Sequence, residues 1–244
     1  MSAPVLEAEA VSKVLGSGAG QVHALKEVNL TLRGGELTLL MGPSGSGKTT
    51  LLSILGCMLT ATSGIVRVSG ESTKDASAEE LAYLRRLHIG FIFQSYHLFP
   101  TLTAAQNVQL ALDLRGEHGD DARKRAHEAL ARVGLSHKIN SFPREMSGGE
   151  QQRVAIARAI VSRPSAILAD EPTAALDSEN GQAIMGILAE IAKDAGRGVL
   201  VVTHDTRLLP FADRIYHIED GRIVGEDHPR PRIAEVRAAR SGTP

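Results

Sequence analysis

The sequence predicts an α/β fold, a mainly parallel sheet interrupted by an inserted helical segment. Three observations carry that reading. Short apolar runs of strand length alternate with helix-period patterns. Residues Gly42 to Thr49 spell Gly-Pro-Ser-Gly-Ser-Gly-Lys-Thr, a complete G-x-x-x-x-G-K-[ST] phosphate-binding loop set between an apolar run and a helical pattern. From Thr103 to about Ser162 no strand candidate occurs. The 244 residues suffice for one large domain, or one domain with a subdomain.

Taken in order, Leu6–Val14 and Val28–Leu32 read as strands ahead of the phosphate loop. Glu36–Met41 is an apolar strand feeding the loop directly, and Lys48–Leu55 reads as the helix that follows. Ile65–Val68 and Ile89–Phe93 are further strand candidates. Asn107, Leu110, Ala111 and Leu114 then keep a helical spacing, as do Ala126, Ala129, Leu130 and Val133. Ile167–Ala169 and Val199–Val202 are continuous apolar runs bounded by polar residues, the pattern of strands buried on both faces. Ile215–Ile218 and Arg222–Val224 flank Asp220-Gly221, a tight-turn signal. The tail, 228–244, is rich in proline and arginine and is expected to be frayed or weakly helical, with its arginines solvated.

Composition narrows the function classes. A net charge of -1 argues against bulk binding of nucleic acid or an anionic membrane. The single cysteine, Cys57, excludes an intrachain disulfide and a multi-cysteine zinc site, and one thiol fits a reducing compartment. Met1–Glu7 lacks the basic stretch and apolar core of a signal peptide, and no run of about 18 apolar residues occurs. The expectation is a cytoplasmic chain with no nucleic-acid partner, free to bind a membrane protein.

The chemistry-bearing residues sit at strand ends. In the loop Gly42, Pro43, Ser44, Gly45, Ser46, Gly47, Lys48, Thr49 and Thr50, the glycines let successive N–H groups point at a β-phosphate. The following helix adds its positive end. Lys48 reaches the β- and γ-phosphates, and the Thr49 hydroxyl is placed to ligate Mg²⁺. Asp170 and Glu171 end the strand Ile167–Ala169; Asp170 would hold Mg²⁺ through water and Glu171 would act as general base on the attacking water. Of the nine histidines, His204 alone follows an apolar strand that belongs beside this edge, where an imidazole can meet a γ-phosphate and orient Glu171. Gln94 closes Ile89–Phe93, and its amide suits a metal or water ligand. Ser147-Gly148-Gly149-Glu150 reads as a capping box opening a helix, followed by Gln151.

Together and in this order, these elements resemble the nucleotide-binding domain of ATP-binding-cassette transporters. Walker A maps to Gly42–Thr49, the Q-loop to Gln94, the signature to Ser147–Gln151, Walker B to Ile167–Glu171, the D-loop to Ala174–Asp177 and the H-loop to His204. The resemblance covers about residues 5–225. It implies a P-loop, RecA-like core with an N-terminal antiparallel β subdomain and an inserted helical subdomain at about 96–162, the whole domain spanning 5–227. It also implies ATP and Mg²⁺ as ligands, with Thr49, Gln94 and Asp170 toward the metal. Two subunits would bind head to tail, with Ser147 and Gly149 donating in trans to the γ-phosphate held by the other subunit.

A finer resemblance is to the MacB/LolD/FtsE class, which serves lipoprotein release, macrolide export, glycolipid export and FtsE-like envelope work. The glycolipid-exporter, DevA-like branch is the nearest. The stretches that carry it are Leu55–Met58, Gly90–Pro100, Thr103–Val108 and Leu168–Asp177. It implies a homodimer on the cytoplasmic face of the inner membrane, working on a separate FtsX/MacB-type permease and often with a periplasmic membrane-fusion adaptor. The substrate would be lipophilic or part of the envelope. Importer cassettes share the same motifs, so an importer ATPase and an FtsE-like mechanotransmission ATPase stand as alternatives. Long coiled-coil arms, zinc cysteines and a second cassette are all missing, which weighs against DNA-directed and ribosome-directed relatives.

Three positions depart from the family pattern. No Phe, Tyr or Trp precedes Tyr83, and the position that usually stacks an aromatic on adenine aligns with Leu15. Adenine is left to Leu15, Val22 or His23, which predicts weaker ATP binding or looser base selectivity. Glu150 replaces the commoner glutamine, and a carboxylate near a γ-phosphate is tolerable if it turns back to its own cap. Met146 replaces the usual leucine, a volume-conserving change.

Overall fold

The computed structural model describes residues 3–229; the arginines of the tail, from Arg230 onward, lie outside them. The elements run β1 (Pro4–Leu15), β2 (Val22–Arg33), β3 (Leu37–Met41), α1 (Lys48–Leu55), β4 (Ser63–Val68), β5 (Glu71–Ser72), α2 (Ala78–His88) and β6 (Ile89–Ile92). Then follow α3 (Ala104–Asp113), α4 (Gly119–Arg132), α5 (Gly148–Ile160), β7 (Ala166–Asp170), α6 (Ser178–Ala192), β8 (Gly198–Thr203), β9 (Arg214–Glu219) and β10 (Arg222–Asp227).

Two sheets result. A four-stranded antiparallel sheet has the order β2-β1-β4-β5, and a six-stranded sheet has the order β10-β9-β3-β8-β7-β6. In the second, the strands from β9 to β6 are parallel and only the edge strand β10 runs antiparallel. This is the α/β, mainly parallel architecture read from the sequence, with the antiparallel N-terminal sheet that the family resemblance implied. Between β6 and β7 the regular elements are helical: α3, α4 and α5, with two short 3-10 turns between α4 and α5.

The central strands divide their side chains by strict alternation. Leu39, Val199, Val201, Ile167 and Ala169 pack into the core under α3–α6. Leu40, Leu200, Val202, Ala166 and Leu168 pack on the other face, into the core shared with α1, α2 and the antiparallel sheet. All are fully buried. Each Leu or Val buried this way stabilises the fold by about 1.5–3 kcal/mol. Truncating Leu200 to alanine, which leaves a cavity besides, costs about 2–5 kcal/mol.

Register then sets the functional edge. Met41 pairs with Thr203, Asp170 with Val202, and Ile92 with Ala169. Because these strands are parallel, the residues after them leave from one edge of the sheet: the phosphate loop after β3, Glu171 after β7, His204 after β8 and Gln94 after β6. Ligands of open parallel sheets sit beyond these carboxyl ends.

Several boundaries differ from the sequence reading: β1, β4 and β10 run two or three residues longer at one end, and two differences bear on the site. β2 starts at Val22 rather than Val28, because Val22, His23 and Leu25 continue the ladder to Leu15, Val14 and Lys13. β6 ends at Ile92, so Gln94 stands two residues past the strand, in a turn. The helix α2 is an element the apolar pattern did not single out. Its sequence signal is the capping box at Ser77 and Glu80, which is formed.

Candidate functional site

The phosphate loop takes its shape from glycine in two different ways. Gly45 and Gly47 have φ of +80° and +101°, left-handed backbone that costs glycine nothing. Gly42 is required for space: a Cβ there would lie 2.0 Å from the carbonyl oxygen of Ile218 in β9. The turn between β9 and β10 braces the loop from outside. Asp220 and Gly221 both have positive φ, +45° and +78°, as a two-residue hairpin turn demands. The Gly221 N–H donates to the Ser46 carbonyl at 3.0 Å, and the Gly221 carbonyl accepts from the Lys26 N–H at 2.8 Å. Lys48 opens α1 and is 8% exposed; its Nζ donates to the carbonyls of Gly42 and Pro43, each at 2.7 Å. Amide groups at the start of α1 and a buried ammonium thus converge on one point, an arrangement made for an anion.

Opposite the loop stand the residues that follow β7 and β8. His204 Nδ1 lies 2.7 Å from Glu171 Oε1, with the carboxylate mostly buried and the ring exposed. Glu171 has φ +45°, left-handed for a residue with a side chain, and its N–H donates to the Val202 carbonyl at 3.0 Å. Backbone in such a region costs of order 1–3 kcal/mol and persists where the surroundings over-determine it. One of those surroundings is Gln152, fully buried in α5, whose Nε2 donates to the carbonyl of Pro172 at 2.9 Å. Sequence reasoning did not single out Gln152.

The Thr49 hydroxyl donates to Asp170 Oδ1 at 3.4 Å. Burial, and next the charge of Glu171, push the Asp170 carboxyl above its usual range, only partly offset by the Thr49 hydrogen bond and by Lys48. A half-buried carboxylate in that position gains from a nearby cation. With a hydroxyl and an amide as its other oxygen donors, and phosphate oxygens and water to complete the sphere, the set suits Mg²⁺, which favours few protein ligands. Among the described residues there is no group of three or more His, Cys, Asp and Glu arranged for a metal ion.

A cleft of about 820 Å³ joins these parts except Asp170, which does not line it and reaches it through its contact with Thr49. Pro43, Ser44, Gly45, Gly47, Lys48, Thr49, Thr50, Gln94, Glu171 and His204 all line it, while Gly42 and Ser46 lie behind the loop surface. Its far end is lined by Leu15, Val22 and His23, the three residues left to meet adenine in the sequence reading. Leu15 and Val22 are 40% and 61% exposed. No Phe, Tyr or Trp lines the cleft.

The signature does not join the cleft. None of Ser147, Gly148, Gly149, Glu150 and Gln151 lines it, and neither does Asp177. Ser147 caps α5 with its Oγ accepting from the Glu150 N–H at 3.2 Å, and Glu150 turns back to the Ser147 N–H at 2.8 Å. That backbone bond, aided by Lys138 at 3.3 Å, holds the Glu150 carboxyl below the usual range against a modest effect of burial. Gln151 Nε2 donates to the Met146 carbonyl at 3.1 Å, and Met146 is itself buried among aliphatic side chains. A Cβ on Gly149 would meet Asn180 Oδ1 at 2.9 Å, so the signature packs against the start of α6, which Asp177 caps. One chain therefore holds a phosphate loop and a signature separate from it, with Ser147 exposed and Gly149 buried.

The model of the ABC transporter family matches residues 25–174. The macrolide export ATP-binding/permease protein MacB of Hahella chejuensis is 44% identical over 226 residues, 93% of this chain and 34% of that protein. The protein of the same name from Salmonella choleraesuis is 47% identical over 220 residues, 90% of this chain and again 34% of that protein. The chain thus spans about a third of the length of the curated relatives it matches. Among solved structures, the dimeric, post-hydrolysis ATP-binding cassette MJ0796 bound to ADP and Pi is 42% identical, with a TM-score of 0.84 over 93% of this chain and 99% of that one.

Proposed function

The chain belongs to the ABC transporter family as its ATP-binding and ATP-hydrolysing cassette, and from that premise we propose that two copies close around two ATP molecules to drive a membrane permease. The observation that carries the reading is the split of the site. The cleft holds a phosphate loop, Glu171 and His204, but the signature lies outside it. A second copy, related by a two-fold axis, supplies its Ser147 and Gly149 to this cleft and receives the same in return. The dimeric state named for the MJ0796 cassette supports this arrangement.

In the mechanism that follows, the loop N–H groups, Lys48 and the end of α1 bind the β- and γ-phosphates of ATP. Thr49, Asp170 and Gln94 would hold Mg²⁺, which supplies charge neutralisation across the phosphates when bound. Glu171 Oε accepts a proton from water as the water oxygen bonds to the γ-phosphorus and the bond to the bridging oxygen breaks, releasing ADP and phosphate. His204, donating from Nδ1, keeps that carboxylate oriented. Ser147 and Gly149 of the second copy, with the positive end of α5, stabilise charge on the γ-phosphate. With hydrolysis the two copies lose their shared ligand, and the helices α3–α5, taken as a subdomain at about 96–162, pass the motion to the permease.

Export is the direction we propose, supported by the name of the macrolide-export relatives. The site of action is the cytoplasmic face of the membrane; among the described residues no helix is long and apolar enough to cross one. The test has two parts. Purified chain should hydrolyse ATP with Mg²⁺, and E171Q should elute as a dimer only with ATP. A tagged chain drawn from detergent-solubilised membranes should bring a permease with few helices and a large periplasmic domain, alone or with an adaptor. A monomer under all nucleotide conditions would overturn the shared-site reading, and a many-helix permease with a solute-binding protein would reverse the direction.

A further inference from the structure

The helix that carries the signature also grips the loop that carries Gln94. Tyr96 and His97 follow Gln94 closely, and both take left-handed backbone, with φ of +60° and +48°. Neither is glycine, so consecutive residues in this conformation need an external hold. Arg158 of α5 provides one. Its Nη2 donates to the Tyr96 carbonyl at 2.7 Å and its Nη1 to the His97 carbonyl at 2.6 Å. The two N–H groups of one planar guanidinium meet two successive carbonyls, a geometry a lysine ammonium cannot reproduce. Burial lowers the arginine's pKa, and among the described residues Arg158 takes part in no ion pair. Its two hydrogen bonds to this backbone are the contacts that answer that burial.

One further contact ties the same loop to the same helix, and a second fixes the loop on the residue that follows β6. A Cβ on Gly148, the first residue of α5, would lie 2.9 Å from the Tyr96 hydroxyl, so the glycine leaves room for that ring beside the signature. The His97 ring packs on Phe93, one residue before Gln94, with centroids 4.6 Å apart. The far end of the segment is held independently by buried Asn107, which bonds both the N–H and the carbonyl of Phe99.

We infer that Arg158 is a positioning residue for Gln94, coupling the placement of that amide in its own cleft to the position of the signature that serves the partner's cleft. The inference rests on the shared-site reading above. When the partner's nucleotide draws in Ser147 and Gly149, α5 moves as a rod, and Arg158 carries the loop of Gln94 with it. Release of the partner relaxes the grip in the same way. Arg158 touches no reacting atom.

The experiment is a double-mutant cycle on ATP turnover in the full chain, using wild type, Q94A, R158K and Q94A/R158K. R158K should lower kcat about tenfold to a hundredfold, the scale of a misplaced catalytic group, with KM for ATP within about twofold. The double variant should be no slower than the slower single variant, because both changes disable one unit. Losses that multiply overturn the inference, as does an R158K enzyme with unchanged kcat. Should R158K not fold, Y96G/H97G placed in the same background supplies the reading, since glycine takes left-handed backbone without strain. A folded, active triple variant then supports the clamp, and an unfolded or inactive one overturns it. A wild-type chain without ATPase activity would defeat the functional reading as well; multiplying losses in an active wild type would defeat only the role of Arg158.

Discussion

His204 Nδ1 and Glu171 Oε1 lie 2.7 Å apart, although the two residues belong to different strand ends and are 33 positions apart in the chain. The parallel register of β7 and β8, with Asp170 opposite Val202, brings them together. The pair makes H204A a test of division of labour. In the proposed mechanism Glu171 is the general base, and such a base contributes about 10²–10⁴-fold, so E171Q should lose turnover on that scale. H204A, which leaves the base present but unheld, should lose turnover while ATP binding stays close to wild type. Steady-state kinetics with a fluorescent ATP-analogue titration would decide it. Equal losses in binding and turnover for H204A would assign the imidazole to the ground state instead.

The aliphatic end of the cleft predicts loose base selectivity. Leu15, Val22 and His23 present surface to a base but no aromatic plane of Phe, Tyr or Trp. Base–aromatic stacking is worth about 1–3 kcal/mol, so L15Y should tighten ATP binding by about tenfold or more. Wild type should bind GTP within about tenfold of ATP, since an aliphatic contact does not read the base edge. Competition binding with both nucleotides checks this. A strong preference for ATP in wild type, or no gain in L15Y, would show that the base is held elsewhere.

How much of this was legible before folding depends on whether the signal was local. Parallel strands buried on both faces produce unbroken apolar runs, so Ile167–Ala169 and Val199–Val202 stood out. The phosphate loop, the signature cap and the Asp170-Glu171 pair were legible because each motif is contiguous in the sequence. Edge elements were harder. Val22–Leu25 is mixed in polarity and joins the sheet only by pairing with the end of β1. Gln152 and Arg158 left no trace in the sequence, because their partners are backbone carbonyls 20 and about 60 residues away, which no residue type announces. The reason for Gly42 was also hidden: its φ is not positive, and the constraint is the Ile218 carbonyl of a strand far along the chain.

Gly42 therefore predicts a structural defect distinct from those of its neighbours. Alanine at 42 places a Cβ 2.0 Å from a backbone oxygen, so β3 or β9 must shift. Overpacking of this kind costs about 1–3 kcal/mol, and here the obstacle is backbone rather than a flexible side chain, which points to the upper end. G45A meets open space and suffers only its positive φ, a smaller penalty. Urea unfolding should rank G42A well below G45A in stability. The reverse order would mean that the Ile218 carbonyl yields easily.

Glu150 makes the last prediction, because its carboxylate answers two demands at once. On the proposed shared site it must not repel the partner's γ-phosphate, and it must close the cap of α5. The structure turns it onto the Ser147 N–H, which holds its pKa down. A carboxyl whose native pKa is lowered adds stability above its unfolded value, about 4.3 for glutamate, and loses that contribution as pH falls through the native value. E150Q keeps a capping-box amide and gives up the charge and the Lys138 contact, a surface pair worth at most about 1 kcal/mol. At pH 7 E150Q should therefore unfold within about 1 kcal/mol of wild type and hydrolyse ATP at least as fast. S147A, which removes the cap itself, should cost about 0.5–2 kcal/mol. Below about pH 4.3 the gap between wild type and E150Q should narrow, since the wild-type carboxyl is then losing its charge-dependent advantage. Urea titrations of the three proteins at pH 7 and at low pH measure both effects. If E150Q loses turnover while its stability holds, the carboxylate acts on the partner's nucleotide rather than on its own helix cap.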